Sequence, residues 1–262
     1  MNILLTNDDG IDSEGLQKLA WILRSRQKYK VSVIAPDTNR SGISHALSIF
    51  NGPVKLSALG PDTWSCSGYP ADCIIAGLKG VLSEWPDLVL SGINRGANLG
   101  TDIIYSGTAS AARQASLAGI PAIALSLVGN EPFYWDMAAS WSADHLEELL
   151  AYWREDTFVN VNIPGNSGLP EGMATAWPAV KNYRDTLSVM TAPDGSRWCF
   201  LEAVDDISAV SEQGSDCETV SRNFVSVSTV YNHPAVLRDF CPGAPADHLV
   251  QVIGYAAAAR RS

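Results

Sequence analysis

Ile3-Leu4-Leu5-Thr6-Asn7-Asp8-Asp9-Gly10 is the stretch from which the fold is read. An apolar run of this kind predicts a strand buried on both faces, as in parallel sheets covered by helices. It leads directly into two adjacent carboxylates and a glycine. Neighbouring side chains on a regular strand point to opposite faces. Asp8 and Asp9 therefore serve one site only if the chain leaves the strand between them, and Gly10 permits that turn. Two carboxylates side by side repel unless a cation lies between them. The pair is either a site for a hard divalent metal or a solvated Asp-Asp-Gly turn; alone it favours neither.

Outward from this stretch, strand and helix signals alternate. Ser13 is placed to cap a helix with Leu16, Leu19, Ala20 and Leu23 on its apolar face. Val31 to Ala35 predicts a second strand, stopped at Pro36-Asp37 and followed by a polar loop, Thr38 to His45. Residues 46–66 read as short strands broken at Asn51-Gly52-Pro53 and Gly60-Pro61. Pro70 opens a helix running to about Leu82. Leu88 to Ser91 predicts a buried strand that ends in the glycine-rich loop Gly92 to Gly100. A small-residue helix over Ala109 to Ala118, a strand over Ala122 to Leu127, a helix over Trp141 to Trp153 and a strand over Phe158 to Ile163 complete the rhythm. The pattern predicts an α/β fold, a Rossmann-like three-layer core with a mainly parallel sheet.

From about Gly165 the rhythm weakens. Segments 174–184, 187–192 and 197–203 read as hairpin strands with a turn at Pro193-Asp194-Gly195. Asp216 to Asn223 predicts a short helix and Phe224 to Val230 a last strand. The expected division is a catalytic core over 1–165 and a hairpin and C-terminal extension over 166–262 that serves oligomerisation.

A net charge of −10 argues against a nucleic-acid groove and an anionic membrane surface. It leaves room for a small phosphorylated substrate, which needs only one local site. No apolar run reaches the roughly 18 residues of a membrane span, and the N-terminus lacks a signal-peptide pattern. Cys66, Cys73, Cys199, Cys217 and Cys241 are odd in number and form no Cys-x-x-Cys pair, which suits reduced thiols in a cytoplasm.

Asp8-Asp9, Ser41 and Asn94 each lie beyond a predicted core strand. If those strands are neighbours, their oxygens meet at one sheet edge, a set suited to Mg²⁺, Mn²⁺ or Ca²⁺ and poor for zinc or copper. Ser106-Gly107-Thr108 precedes a helix, whose N-terminus either binds phosphate or is simply capped by Ser106 or Thr108. His45 is a candidate proton donor to a leaving oxygen or an ordinary loop histidine. His145, His233 and His248 have no partner spacing. Asp12, Asp72 and Asp102 suit helix capping or loop positioning. Tyr183 and Trp198 could stack on a base or pack within hairpins.

Asn7-Asp8-Asp9-Gly10, Ala35-Pro36-Asp37 with Arg40-Ser41, Ser91 to Gly100 and Tyr105 to Ala109 resemble the successive signatures of the stationary-phase survival protein E family, which are metal-dependent 5′/3′-nucleotidases. Gly119 to Ala124 and Asn160 to Pro164 fit the same series, so the likeness covers about residues 1–165. The resemblance implies metal ligands at Asp8, Asp9, Ser41 and Asn94 for one divalent ion per subunit. It implies phosphate contacts from Asn98 and Ser106-Gly107-Thr108, and a homodimer or homotetramer with exchanged C-terminal elements. The later part departs from the family pattern, with Asp194 to Trp198 in its hairpin, Ser215-Asp216 for a Thr-Asp segment and Asn223-Phe224-Val225 for Gly-Tyr-Val.

Two rivals fit less well. A phospho-signalling receiver needs an aspartate near Phe50-Asn51-Gly52-Pro53, where there is none. An aspartyl-phosphate phosphatase spaces its two aspartates by one residue, whereas Asp8 and Asp9 are adjacent. The expected function is a metal-dependent phosphomonoesterase that hydrolyses nucleoside 5′- or 3′-monophosphates, with Asp8, Asp9 and Asn98 catalytic. The alternatives are a broad small-molecule phosphatase and a non-catalytic nucleotide-binding module.

Overall fold

The computed structural model describes residues 1–166, 168–181, 183, 185–202 and 212–234. Cys241 and His248 lie outside the described residues. The chain begins with β1 (Asn2–Thr6), α1 (Glu14–Ser25) and β2 (Lys30–Pro36). A short 3₁₀ turn at Ser48–Phe50 precedes β3 (Leu56–Gly60) and β4 (Thr63–Cys66). Then come α2 (Pro70–Ala76), continued as a wider turn over Gly77–Val81, and β5 (Leu88–Arg95). α3 (Asp102–Tyr105), α4 (Gly107–Leu117), β6 (Ala122–Val128), α5 (Trp135–Asp144), α6 (Leu146–Leu150) and β7 (Thr157–Pro164) follow. The remainder is β8 (Gly172–Thr175), β9 (Thr186–Thr191), β10 (Arg197–Glu202), α7 (Asp216–Ser221) and β11 (Phe224–Tyr231).

One nine-stranded sheet runs in the order β3-β4-β2-β1-β5-β6-β7-β11-β8. The six strands from β4 to β7 are mutually parallel. β1 is central because its residues Ile3 to Thr6 have apolar cover on both faces. Ile3, Leu5, Val33 and Leu90 pack under α1 and α5, while Leu4, Ile34, Val89 and Phe158 pack under α2 and α4. These are the three layers expected from the βαβ rhythm. α4 turns Ala109, Ala111, Ala112 and Ala115 wholly inward, and such small side chains let its axis lie close to the sheet.

Several boundaries differ from the sequence reading. β5 does not end at Ser91. Ser91 pairs with Ala124 and Asn94 with Ser126, so β5 carries one extra residue and continues over a bulge to Arg95. Gly92 makes this fit: its φ is +137°, and a β-carbon there would lie 2.3 Å from the Leu125 carbonyl oxygen. The helix expected from Trp141 instead starts at Trp135 and is broken at His145. Its inner face is partly Ala138, Ala139 and Ser142, which weakens the apolar periodicity. Ser48–Phe50 is not a strand, because the Asp72 carboxylate accepts from the Ser48 N–H and hydroxyl and holds the turn. Among the described residues of 174–184, only the beginning belongs to a strand. β8 pairs parallel with β11, and the hairpin consists of β9 and β10. Ser13 stands at the N-cap of α1 without a capping hydrogen bond, because its hydroxyl accepts from Asn7 Nδ2 at 2.6 Å.

The sheet does not stop at residue 165. β11 lies antiparallel to β7 over the register Ser226↔Asn162 to Tyr231↔Thr157 and buries Val225 and Val227. Truncation after Pro164 strips this cover and leaves β7 as a long, apolar open edge, a template for aggregation. The shortened chain should therefore sediment as aggregate, while a monodisperse truncated protein would contradict this dependence.

Candidate active site

The parallel strands end on one side of the sheet, and register brings their ends together. Thr6 pairs with Ser91, so the turn after β1 lies beside the bulged end of β5. Open α/β sheets bind ligands at this edge. The Asp8-Asp9 turn is tied to three neighbouring segments. The Asp8 carbonyl accepts from the Arg40 N–H at 2.7 Å, which fastens the loop after β2. Asp9 Oδ2 accepts from the Arg95 N–H at 2.9 Å, at the end of β5. Asp8 Oδ1 accepts from the Thr108 hydroxyl on α4.

Gly107 is the reason α4 can come so close. A β-carbon at this position would stand 2.7 Å from Asp8 Cβ and 2.8 Å from its Oδ2. The N-terminus of α4 thus rests on the Asp8 carboxylate. Asp8 is only 3% exposed, and burial pushes its carboxyl up to about 6. The charge of Asp9 adds to this rise, while the Thr108 hydroxyl opposes it. Burial also raises Asp9, against the pull of the Arg95 N–H.

The other two predicted metal ligands lie in the segments tied to this turn, Ser41 after Arg40 and Asn94 before Arg95. Asn94 donates its amide nitrogen to the Gly96 carbonyl at 2.9 Å, leaving Oδ1 as the acceptor end. Ser41 follows Arg40 and is exposed, with its N–H on Asn39 Oδ1. Asp9 Oδ1, Asn94 Oδ1 and Ser41 Oγ have no hydrogen-bond partner among the described residues. The donor set is all oxygen, it carries two repelling carboxylates, and it keeps free lone pairs. These are the properties that suit a hard divalent cation.

The predicted phosphate residues divide into different roles. Ser106 caps α4, accepting from the Ala109 N–H at 2.9 Å, and its own O–H remains a donor. The Thr108 hydroxyl proton is committed to Asp8. Asn98 is buried and fixed on the other side of the bulge. Its N–H donates to Asn162 Oδ1 at 2.8 Å and its amide to Ser126 Oγ at 2.8 Å, while its carbonyl accepts from Asn160 and Asn162.

His45 stands apart, with Nε2 3.0 Å from Gln114 Oε1 and its basicity lowered by burial. Gln114 is seven residues beyond Gly107, about 10 Å along a helix axis. Tyr183 packs edge-on to Tyr105 and donates to Asp102, while Trp198 is exposed on the hairpin. Sequence reasoning assigned no role to Asn160, Asn162 or Asp216. All three hold the loop of Asn98 by contacts from distant parts of the chain. The local signals are the Asn160 to Pro164 segment of the family series and, for Asp216, the helix-capping Ser215 that precedes it.

A family model described as "Survival protein SurE" matches residues 3–185. A protein of Geotalea daltonii named 5′-nucleotidase SurE is 40% identical over 252 residues, covering 91% of this chain and 98% of that protein. A protein of Thermosipho africanus with the same name is 36% identical, covering 88% of this chain and 91% of that one. The crystal structure of the Sure protein from Aquifex aeolicus superposes with a TM-score of 0.79 at 34% identity, covering 95% of this chain and all of that one.

The raised Asp8 carboxyl sets a pH dependence for the metal-free protein. Between about pH 4 and pH 6 the folded chain keeps a proton that the unfolded chain has lost, so stability falls as pH rises through that window. Asp8→Asn removes this penalty and keeps an acceptor for Thr108. In chelator, urea unfolding should show Asp8→Asn gaining on the wild type between pH 4 and 7, by up to about 3 kcal/mol. An unchanged difference between the two proteins across that range would refute the assignment.

Proposed function

The chain belongs to the survival protein SurE family, and from that premise we propose that it is a metal-dependent nucleotidase. It hydrolyses nucleoside monophosphates, at the 5′ or 3′ position, to nucleoside and phosphate. The observation that carries this reading is the Asp8 carboxylate, buried beside Asp9 and bonded by Thr108 at the N-terminus of α4. A helix N-terminus favours an anion, and two adjacent carboxylates favour a cation. A phosphomonoester held by a divalent ion satisfies both.

In this reading Asp8, Asp9, Ser41 and Asn94 hold one divalent ion, Mg²⁺, Mn²⁺ or Ca²⁺. The chemistry such an ion supplies when bound is Lewis acidity toward a phosphoryl oxygen and toward water. The chain's own groups then orient the ester. The Ser106 hydroxyl and the Gly107 N–H donate to phosphoryl oxygens, and Asn98 stabilises charge on the far side. Thr108 serves by holding Asp8 in one position. Asp8 or Asp9, the latter fixed by the Arg95 N–H, orients the attacking water. The buried Asn98 anchorage keeps these donors in place without reorganisation.

We also propose that residues 1–165 act as the catalytic core and that the extension after 165 meets a second copy of the chain in a homodimer or homotetramer. β9 and β10 expose Leu187, Val189 and Leu201 on one face of the ribbon and Met190, Trp198 and Phe200 on the other, two small apolar faces suited to burial in an assembly. No described helix is long and apolar enough to cross a membrane. The net charge of −10 fits a small-molecule substrate better than a nucleic acid, and a cytoplasmic setting suits the thiols of Cys66, Cys73, Cys199 and Cys217, which are free.

Phosphate release from 5′- and 3′-nucleotides, glycerol phosphate and a sugar phosphate tests the substrate class, each with Mg²⁺, Mn²⁺ and chelator. Nucleotides should lead in kcat/KM and chelator should abolish turnover. Equal kcat/KM for non-nucleotide esters would instead establish a broad phosphatase.

Two variants separate the roles assigned around α4. Asn94→Ala should raise the metal concentration needed for half-maximal rate. Ser106→Ala should weaken inhibition by vanadate by about tenfold or more, a lost bond to a charged group being worth about 1.5–3 kcal/mol. A Ser106→Ala protein that loses thermal stability alone, with vanadate inhibition intact, would reduce Ser106 to a cap.

A further inference from the structure

The loop that carries Asn98 is gripped from outside the matched family segment, by a carboxylate that the mechanism above does not use. Asp216 has no solvent exposure. Both of its oxygens are occupied by backbone donors from three segments. Oδ2 accepts from the Gly100 N–H at 2.6 Å, and Oδ1 accepts from the N–H groups of Ala179 at 2.9 Å and Cys217 at 2.8 Å. Burial pushes its carboxyl up, and these three donors resist the rise.

The contact between the loop and the segment above it is backbone on backbone. Gly100 has φ +55°, and a β-carbon there would stand 2.2 Å from the Ala179 carbonyl oxygen. Next to it, Thr101 Oγ1 accepts from the Lys181 N–H at 2.9 Å, and Asp102 accepts from Lys181 Nζ at 2.6 Å. Leu99, Ala179 and Cys217 form a small apolar cluster beneath these bonds. Asn98 is thus fixed from two directions. Asn160, Asn162 and Ser126 hold it from the sheet, and Asp216 holds its loop two residues further on.

We propose that Asp216 is a positioning residue for the hydrolytic reaction, setting Asn98 through the backbone of Gly100. This rests on the nucleotidase reading. Its consequence is that the segment around α7, beyond residue 185, is part of the active unit and not only an assembly element. A carboxylate is required because all three donors are N–H groups. An amide of the same shape turns its NH₂ toward at least one of them.

The test compares wild type, Asp216→Asn and Gly100→Ala, each with saturating metal. Gly100→Ala disturbs the same contact from the loop side. In both variants kcat should fall by about 10- to 100-fold, as expected for small misplacement of a charge-stabilising group, while KM and the metal concentration for half-maximal rate stay near wild type. Hydrogen–deuterium exchange adds a readout independent of turnover. The Gly100 amide should be protected in the wild type and exchange faster in Asp216→Asn, with β1 and β5 unchanged.

An Asp216→Asn protein with normal kcat overturns the proposal. So does a loss of rate that merely follows the fraction unfolded. An unprotected Gly100 amide in the wild type also overturns it, whether or not either variant folds. A wild type that releases no phosphate from any nucleotide overturns the functional reading and this proposal together. An active wild type beside an unimpaired Asp216→Asn overturns this proposal alone.

Discussion

The contact between the Asp8 carboxylate and the first turn of α4 is the constraint around which the rest is arranged. It exists only because residue 107 has no side chain, since a β-carbon there would collide with Asp8. Desolvating a carboxylate is costly unless something compensates it. Here the Thr108 hydroxyl and the helix terminus compensate part of that cost, and the carboxyl remains raised to about 6. The remainder is an unmet demand for positive charge at a fixed point.

Rigidity around that point comes from the whole sheet. β1 is buried on both faces and delivers Asp8 and Asp9 from the middle of the core. The bulge in β5 shifts its last residues by one position, which places Arg95 to bond Asp9 and Asn94 beside Gly96. β7 sends Asn160 and Asn162 under the glycine-rich loop, and β11 closes the edge of β7. Loop residues positioned in this way behave as extensions of the sheet.

What could be read from the sequence follows a physical division. The parallel core was legible because buried strands such as Ile3-Leu4-Leu5 and Leu88-Val89-Leu90 are short, apolar and punctuated. Asn94 reads as loop but lies inside β5, whereas the acidic turn and the Ser106 helix start were legible because the first follows a strand and the second opens a helix. The bulge was not, since Gly92 reads equally as loop. The start of α5 was hidden by its small inner face. The hydrogen bonds of Asn98 to Asn162 and of Gly100 to Asp216 join residues 64 and 116 positions apart, respectively. No periodicity or local spacing encodes such pairs. The bond from Thr108 to Asp8 is hidden for a similar reason: a hydroxyl at a helix start looks free until its partner a hundred residues earlier is known.

The charge balance gives this arrangement a further consequence. The chain carries a net charge of −10, and its site holds two carboxylates with raised proton affinity. A phosphate monoester dianion brought to the N-terminus of α4 alone would face Asp8 and Asp9 at close range, and the half-charge of a helix terminus does not offset two carboxylates. On the proposed reading, a divalent ion held by these carboxylates would reverse the sign of that repulsion. Cation and phosphate would then each strengthen the binding of the other, equally in both directions by linkage. The pair of aspartates would make metal and substrate binding one coupled equilibrium.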